Sequence, residues 1–219
     1  VTWPQFTISS IKLELSVDLM RGFSMRVLVI VAHPNLATSR INAAWTAVLR
    51  KQAAVTVHLL YDAYPDGRID VAREQRLLLE HDRIILQFPF QWYNCPPLLK
   101  QWLDDVLERG WAYGPGGTAL AHKELGIAVS TWSAEADYQS LGPYGRTMDE
   151  LTSPFEVTAR RLGMAYLPGF FLNGVGHVTA ENLAGNCARY LEHVASRLFG
   201  SDLARVEVGA AARVDAARM

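Results

Sequence analysis

The chain has 219 residues, half of them hydrophobic, and its 21 basic and 22 acidic side chains leave a formal net charge of −1 at pH 7. That length fits one α/β domain with short terminal segments, and the apolar fraction excludes disorder of the whole chain. The charge balance removes the field that would hold a protein on nucleic acid or an anionic membrane, so no nucleic-acid partner is expected. Cys95 and Cys187 stand far apart and form no CxxC, which argues against a disulfide framework or a zinc ribbon and suits a reducing cytoplasm. No apolar run is long enough to span a bilayer, and Lys12, Glu14, Asp18 and Arg21 interrupt any signal-peptide core.

Met25 directly precedes the first good strand, so residues 1–24 read as an extension outside the fold. From there apolar β-branched runs alternate with helical patterns, the mark of a parallel sheet built from crossover units. The run 26–32 is continuously apolar after Arg26, as in a strand buried on both faces. A polar turn leads to Ser39, a suitable N-cap, and to a helix reaching about Gln52 through Ile41, Trp45, Val48 and Leu49. Residues 55–60 form the second strand. After the turn at 64–67, a short helix carries Val71, Gln75, Leu78 and Leu79, and 83–88 is the third strand.

Pro97 suits the first turn of the next helix, which carries Leu98, Leu99, Trp102, Leu103, Val106 and Leu107 and ends at Gly110. Residues 111–122 are glycine-rich and irregular, and 125–131 makes the fourth strand. A long loop runs to Arg146, a helix to Leu162, a fifth strand over 165–172 and a closing helix over 180–199. The domain therefore spans 25–200, with a tail at 201–219.

In a doubly wound sheet the ligand crevice lies beyond the carboxyl ends of the strands, where strand order reverses. Three loops are then of interest: 33–42, 89–97 and 130–144. The first ends at a helix N-terminus, which binds anions, and holds His33, Ser39, Arg40, Ile41 and Asn42. Ser39 serves equally well as a plain cap, and His33 as a brace of its own loop. The second loop carries Pro89, Phe90, Gln91, Trp92 and Tyr93 where a connector is usually small and polar. Such rings suit a flat heteroaromatic ligand, and they suit a core plug or a dimer contact as well. The third offers hydroxyls at Ser130, Thr131 and Ser133, beside Trp132, with Tyr138 and Tyr144 as proton donors or as packing. The motifs GxxxxGK[ST], GxSxG and HExxH do not occur, and the other five histidines lack metal-ligand spacing, so no metal is expected.

Taken together, Val29-Ile-Val-Ala-His-Pro34, Ser39 to Asn42, Tyr64-Pro-Asp66 with Ile69-Asp70, Gln87-Phe-Pro-Phe-Gln-Trp-Tyr93, Pro96-Pro-Leu-Leu-Lys-Gln-Trp102 and Gly110-Trp-Ala-Tyr-Gly-Pro-Gly-Gly-Thr-Ala-Leu120 resemble the NAD(P)H:quinone oxidoreductases of the DT-diaphorase group. The similarity is greatest to the bacterial ancillary subunits of glutathione-gated potassium-efflux systems. It implies a flavodoxin-like, doubly wound, five-stranded parallel sheet of order 2-1-3-4-5 with helices on both faces. It also implies FMN in preference to FAD, held at its phosphate by His33 and Ser39 to Asn42, at its ring by Pro89 to Tyr93, and at its pyrimidine edge by Ser130 to Ser133. NAD(P)H would be co-substrate, a quinone the acceptor, and the reaction a two-electron ping-pong hydride transfer. Two departures stand out: Ser130-Thr131-Trp132-Ser133 replaces Thr-Thr-Gly-Gly, and Tyr144 stands where the diaphorase branch has a histidine. Tyr138 and Tyr144 are the candidate catalytic residues. The resemblance further implies a homodimer, with Trp111 and Tyr113 as interface anchors, and an antiporter partner at the inner face of the membrane. An azo or nitro acceptor, an electron-shuttling flavodoxin and a regulatory subunit with secondary reductase activity are the alternatives; the flavodoxin's strongly acidic surface is missing at net charge −1.

Overall fold

The computed structural model describes residues 25–195; the extension read at 1–24, the tail at 201–219 and the end of the closing helix lie outside the described residues. The elements are β1 (Val27–Val31), α1 (Arg40–Leu49), β2 (Val55–Leu59), α2 (Val71–Leu79), β3 (Arg83–Pro89), α3 (Pro97–Val106), β4 (Glu124–Ser130), α4 (Met148–Arg161), β5 (Ala165–Tyr166), β6 (Phe170–Leu172) and α5 (Ala180–Ala195). The sheet runs β2-β1-β3-β4-β5 with every pair parallel, and β6 also pairs with β4. The flavodoxin-like order expected from the sequence is the order found.

Every residue of β1 is buried, and alternation sends them to two cores. Leu28 and Ile30 join Leu78, Leu99, Trp102, Phe155 and Ala159 under α2, α3 and α4. Val27, Val29 and Val31 meet Trp45, Leu49 and Tyr190 under α1 and α5. A fully buried aliphatic side chain contributes about 1.5–3 kcal/mol, so a strand apolar on both faces is stable only between two helical layers.

Helix ends follow from local chemistry. Asp70 caps α2 by accepting the Arg73 N–H at 2.9 Å. Thr147 and Glu150 form a reciprocal capping box on α4. Pro154 sits inside α4 and lacks the N–H that would reach Glu150; the Ser153 hydroxyl donates to that carbonyl instead, at 2.8 Å.

Two differences from the sequence reading have plain causes. The single strand expected at 165–172 is divided into β5 and β6, because Pro168 has no N–H for the ladder and a Cβ on Gly169 would lie 2.2 Å from the Phe171 ring. A helical turn over Leu60–Ala63 follows β2 directly. It delivers Tyr64 to Glu74, a fully buried carboxylate on α2 that also receives Trp102 from α3.

Candidate active site

The chain leaves β1 toward β2 on one side and returns to β3 on the other, so a crevice opens above β1 and β3. His33 follows β1 and is half-buried; its Nδ1 accepts the Asn35 N–H at 3.1 Å. Burial lowers its pKa below the usual histidine value, so the ring is neutral at pH 7 and presents an Nε2–H donor. Ser39 Oγ accepts the N–H of Asn42 at 3.2 Å. The N–H groups of Arg40 and Ile41 in the same first turn have no acceptor among the described residues. Capping and anion binding are therefore compatible: the serine takes the third N–H of α1 and leaves the first two beside the exposed Arg40 side chain.

Ile41 and Asn42 turn their side chains inward, so only the backbone of Ile41 faces the crevice. Asn42 Nδ2 donates to Ser130 Oγ at 2.9 Å, and its carbonyl accepts Gln87 Nε2 at 3.1 Å, while Tyr190 donates to Gln87 Oε1 at 3.1 Å. Asn42 thus ties the loop after β1 to the end of β4.

Pro89 belongs to β3, opposite Ser130, and Phe90 N–H donates to the Ser130 carbonyl at 2.8 Å. Gln91 and Asn94 exchange two backbone hydrogen bonds, of 2.8 and 3.0 Å, around Trp92 and Tyr93, whose φ values are +47° and +61°. Left-handed backbone at two bulky residues costs on the order of 1 kcal/mol or more at each. Trp92 is 93% exposed, so packing of its side chain does not repay that cost. Trp92→Gly is expected to leave unfolding free energy within about 1 kcal/mol of wild type, because relief of strain offsets the added chain entropy. Turnover with a planar acceptor should fall several-fold. Urea unfolding alongside steady-state kinetics checks both halves; a large loss of stability would show that the indole packs after all.

The third loop is bound to one that the sequence reading did not weigh, the loop after β6. Thr131 N–H donates to the Leu172 carbonyl (2.9 Å), Val175 N–H to the Thr131 carbonyl (3.1 Å) and Gly174 N–H to the Ser133 carbonyl (2.7 Å). Thr131 Oγ1 reaches Asn173 Oδ1 at 2.8 Å. Trp132 turns outward, 78% exposed, and its six-membered ring lies 3.2–3.6 Å from where a Cβ on Gly176 would be. The indole therefore rests on a glycine and does not cover the backbone of 130–133. Asn173-Gly174 was the signal available in the sequence, since Asn-Gly marks a turn.

Tyr138 is buried and Tyr144 partly exposed. Their rings are 5.1 Å apart; Tyr144 meets Tyr93 at 5.4 Å, and Phe90 meets both Tyr93 and Tyr138 at 6.4 Å. Four rings from two loops form a closed circuit beside the crevice. Desolvation, then the neighbouring Tyr144 and Tyr138, raise the pKa of Tyr93.

The backbone completes the picture. In addition to Arg40 and Ile41, the N–H groups of Trp92, Tyr93, Trp132 and Ser133 have no acceptor among the described residues. Each of the three loops thus brings N–H donors without an acceptor among the described residues to one crevice, with an aromatic wall on one side. That arrangement fits an anionic, planar heteroaromatic cofactor such as a flavin nucleotide. Trp132, where the resembling family has a glycine, turns away onto Gly176 and leaves its backbone N–H uncovered.

Fold and crevice define a flavodoxin-type α/β protein. The family described as having a flavodoxin-like fold matches residues 25–194, and the chain belongs to it. An uncharacterized NAD(P)H oxidoreductase, YrkL of Bacillus subtilis, is 49% identical over 78% of this chain and 98% of its own length. The glutathione-regulated potassium-efflux system ancillary protein KefF of Citrobacter koseri is 40% identical over 77% of this chain and 94% of its own. Among solved structures, general stress protein 14 of Treponema denticola in complex with FMN is 41% identical, with a TM-score of 0.75 over 77% of this chain and 97% of that one. An NADPH-quinone reductase of P. pentosaceus is 36% identical, with a TM-score of 0.73 over 80% and 100%. A chain described as a thermophilic tryptophan halogenase from Streptomycin violaceusniger is 44% identical, with a TM-score of 0.77 over 78% and 99%. Among the described residues no helix is long and apolar enough to cross a membrane.

Proposed function

We propose that the chain is an FMN-dependent NAD(P)H:quinone oxidoreductase. The observation that carries the reading is that the backbone N–H groups of Arg40, Ile41, Trp92, Tyr93, Trp132 and Ser133, drawn from three loops, have no acceptor among the described residues and adjoin a crevice walled by Phe90, Tyr93, Tyr138 and Tyr144. The FMN complex of the Treponema relative and the reductase from P. pentosaceus support it. FMN supplies the ability to take a hydride from a nicotinamide and pass it to a second substrate. The protein supplies the rest. The first turn of α1, Arg40 and the Nε2–H of His33 bind the phosphate; the left-handed turn at Trp92 and Tyr93 donates along the ring. The N–H groups of Trp132 and Ser133 stabilise negative charge at its pyrimidine edge. Tyr138 and Tyr144 supply a proton to the acceptor.

NAD(P)H and quinone use the same aromatic-walled space in turn, which gives ping-pong kinetics. A second copy of the chain completes the site, with Trp111 and Tyr113 at the contact, and the assembly is cytoplasmic. The exposed Trp92, Trp132 and Leu141 on the rim, with the relationship to KefF, favour a second role in which this rim meets a potassium-efflux antiporter at the membrane.

The test is the visible spectrum of protein loaded with FMN and titrated with NADH or NADPH under argon, followed by benzoquinone. Stoichiometric bleaching and recovery of colour on adding quinone are expected. Halogenation of an indole is an oxidation and cannot proceed under argon with quinone as the sole oxidant consumed, so this assay separates that chemistry. Protein that stays colourless in excess FMN would overturn the reading.

A further inference from the structure

Two hydroxyls from different parts of the long loop meet at the mouth of the crevice: Ser133 Oγ and Tyr144 Oη are 2.7 Å apart, and either can donate. Each residue is held in place independently of that bond. The backbone of Ser133 is fixed through its carbonyl, which accepts Gly174 N–H at 2.7 Å. The Tyr144 ring is fixed by Tyr138 and Tyr93 at 5.1 and 5.4 Å. At 37% exposure Tyr144 still faces the opening. A hydroxyl carries one hydrogen, so this pair holds two and uses one in the mutual bond. If Tyr144 donates, its proton is engaged and unavailable to a ligand. If Ser133 donates, the phenol proton is free, and the serine hydrogen already lies where it would stabilise a phenolate.

We infer that Ser133 is the positioning residue for Tyr144, directing the phenol proton to the carbonyl oxygen of a planar acceptor and holding the charge left behind. This role rests on the reductase reading above and deepens it. The acceptor gains two electrons and one hydrogen nucleus as hydride, supplied by NAD(P)H through the flavin. Its oxygen gains the phenol proton: the Tyr144 O–H bond breaks as the hydroquinone O–H bond forms. Ser133 donates to the phenolate until a proton from water restores it. The balance is NAD(P)H, one proton and quinone giving NAD(P)⁺ and hydroquinone. Acceptors that must be protonated on oxygen depend on the pair.

The test has a readout that needs no flavin. In flavin-free protein labelled with ¹³Cζ-tyrosine, Ser133→Ala should move the Tyr144 resonance, assigned by its loss in Tyr144→Phe, and Ser133→Thr should return it. In FMN-loaded protein, Ser133→Ala should lower kcat for benzoquinone about tenfold or more, the scale of one lost hydrogen bond to a charged group. KM should change little, and threonine should restore kcat. On a Tyr144→Phe background the Ser133→Ala change should have no further effect, which also guards against a merely unfolded variant. An unmoved resonance, full turnover by Ser133→Ala, or equal losses on both backgrounds would overturn the inference. Wild-type protein that takes up FMN and reduces benzoquinone while Ser133→Ala does so equally well sinks only this role; wild-type protein that takes up no FMN sinks the reading beneath it.

Discussion

Glu74→Ala will cost about 3–5 kcal/mol of unfolding free energy, the usual consequence of removing one partner from a buried charged network. The carboxylate is fully buried and accepts from Tyr64 Oη at 2.6 Å and from Trp102 Nε1 at 2.8 Å. His58 Nε2 lies 3.1 Å from it, close but off a good hydrogen-bond line. Alanine would strand these donors in an apolar layer. The damage would reach the site, since Trp102 belongs to α3, the helix into which the aromatic loop runs.

The same group sets an acid limit on stability. Burial alone would raise the Glu74 pKa, but the nearby His58 ring and the donors Tyr64 and Trp102 outweigh it and hold the carboxyl below its ordinary value. Between that lowered value and the unfolded value of about 4.3 the unfolded chain binds more protons. This contribution is therefore complete above the unfolded pKa and is lost as pH falls through the folded one. Urea unfolding at neutral pH and again below pH 4.5 should show a loss in wild type that Glu74→Gln diminishes; parallel losses in both would remove Glu74 as the cause.

Asn42→Ala is expected to weaken FMN binding about tenfold or more, corresponding to about 1.4 kcal/mol, and to lower stability by about 1–3 kcal/mol. Its side chain is 1% exposed, so the loss would not come from a direct contact with the cofactor. It would come from Ser130, which loses the Nδ2 donor that holds the helix after β1 against the end of β4; Gln87 keeps the main-chain carbonyl of Asn42 at 3.1 Å and loses only the longer side-chain contact at 3.4 Å. With that bond gone, the donors at Arg40 and Ile41 and those at Trp132 and Ser133 are no longer fixed at one spacing. Fluorescence titration of flavin-free protein with FMN measures the first effect and urea unfolding the second. Unchanged affinity with reduced stability would make Asn42 a core residue and no more.

The sequence determined the sheet. Apolar stretches alternating with amphipathic helices can be satisfied only by a parallel sheet covered on both faces, whereas the strand order was expected from the family resemblance and not from the pattern. It also determined which loops form the crevice, because the carboxyl ends of parallel strands share one edge of the sheet. Ser39 as a cap and Pro97 at a helix start were legible for the same local reason: helix ends use neighbours in sequence.

Only the tertiary structure decided which groups in those loops remain unpaired. Asn42 reads as a phosphate ligand in sequence and is a buried tie in space, because its partner Ser130 is 88 residues away. Nothing in the pattern of α2 marks Glu74 as buried; its donors come from the turn after β2 and from α3. Trp132 stands where the resembling family has a glycine and turns away onto Gly176, a contact no spacing reveals. Ser133 and Tyr144 are separated by a loop without regular period, so only its fold could bring two hydroxyls to 2.7 Å. Periodicity records which face of an element is buried, whereas hydrogen bonds between distant loops depend on how whole elements dock.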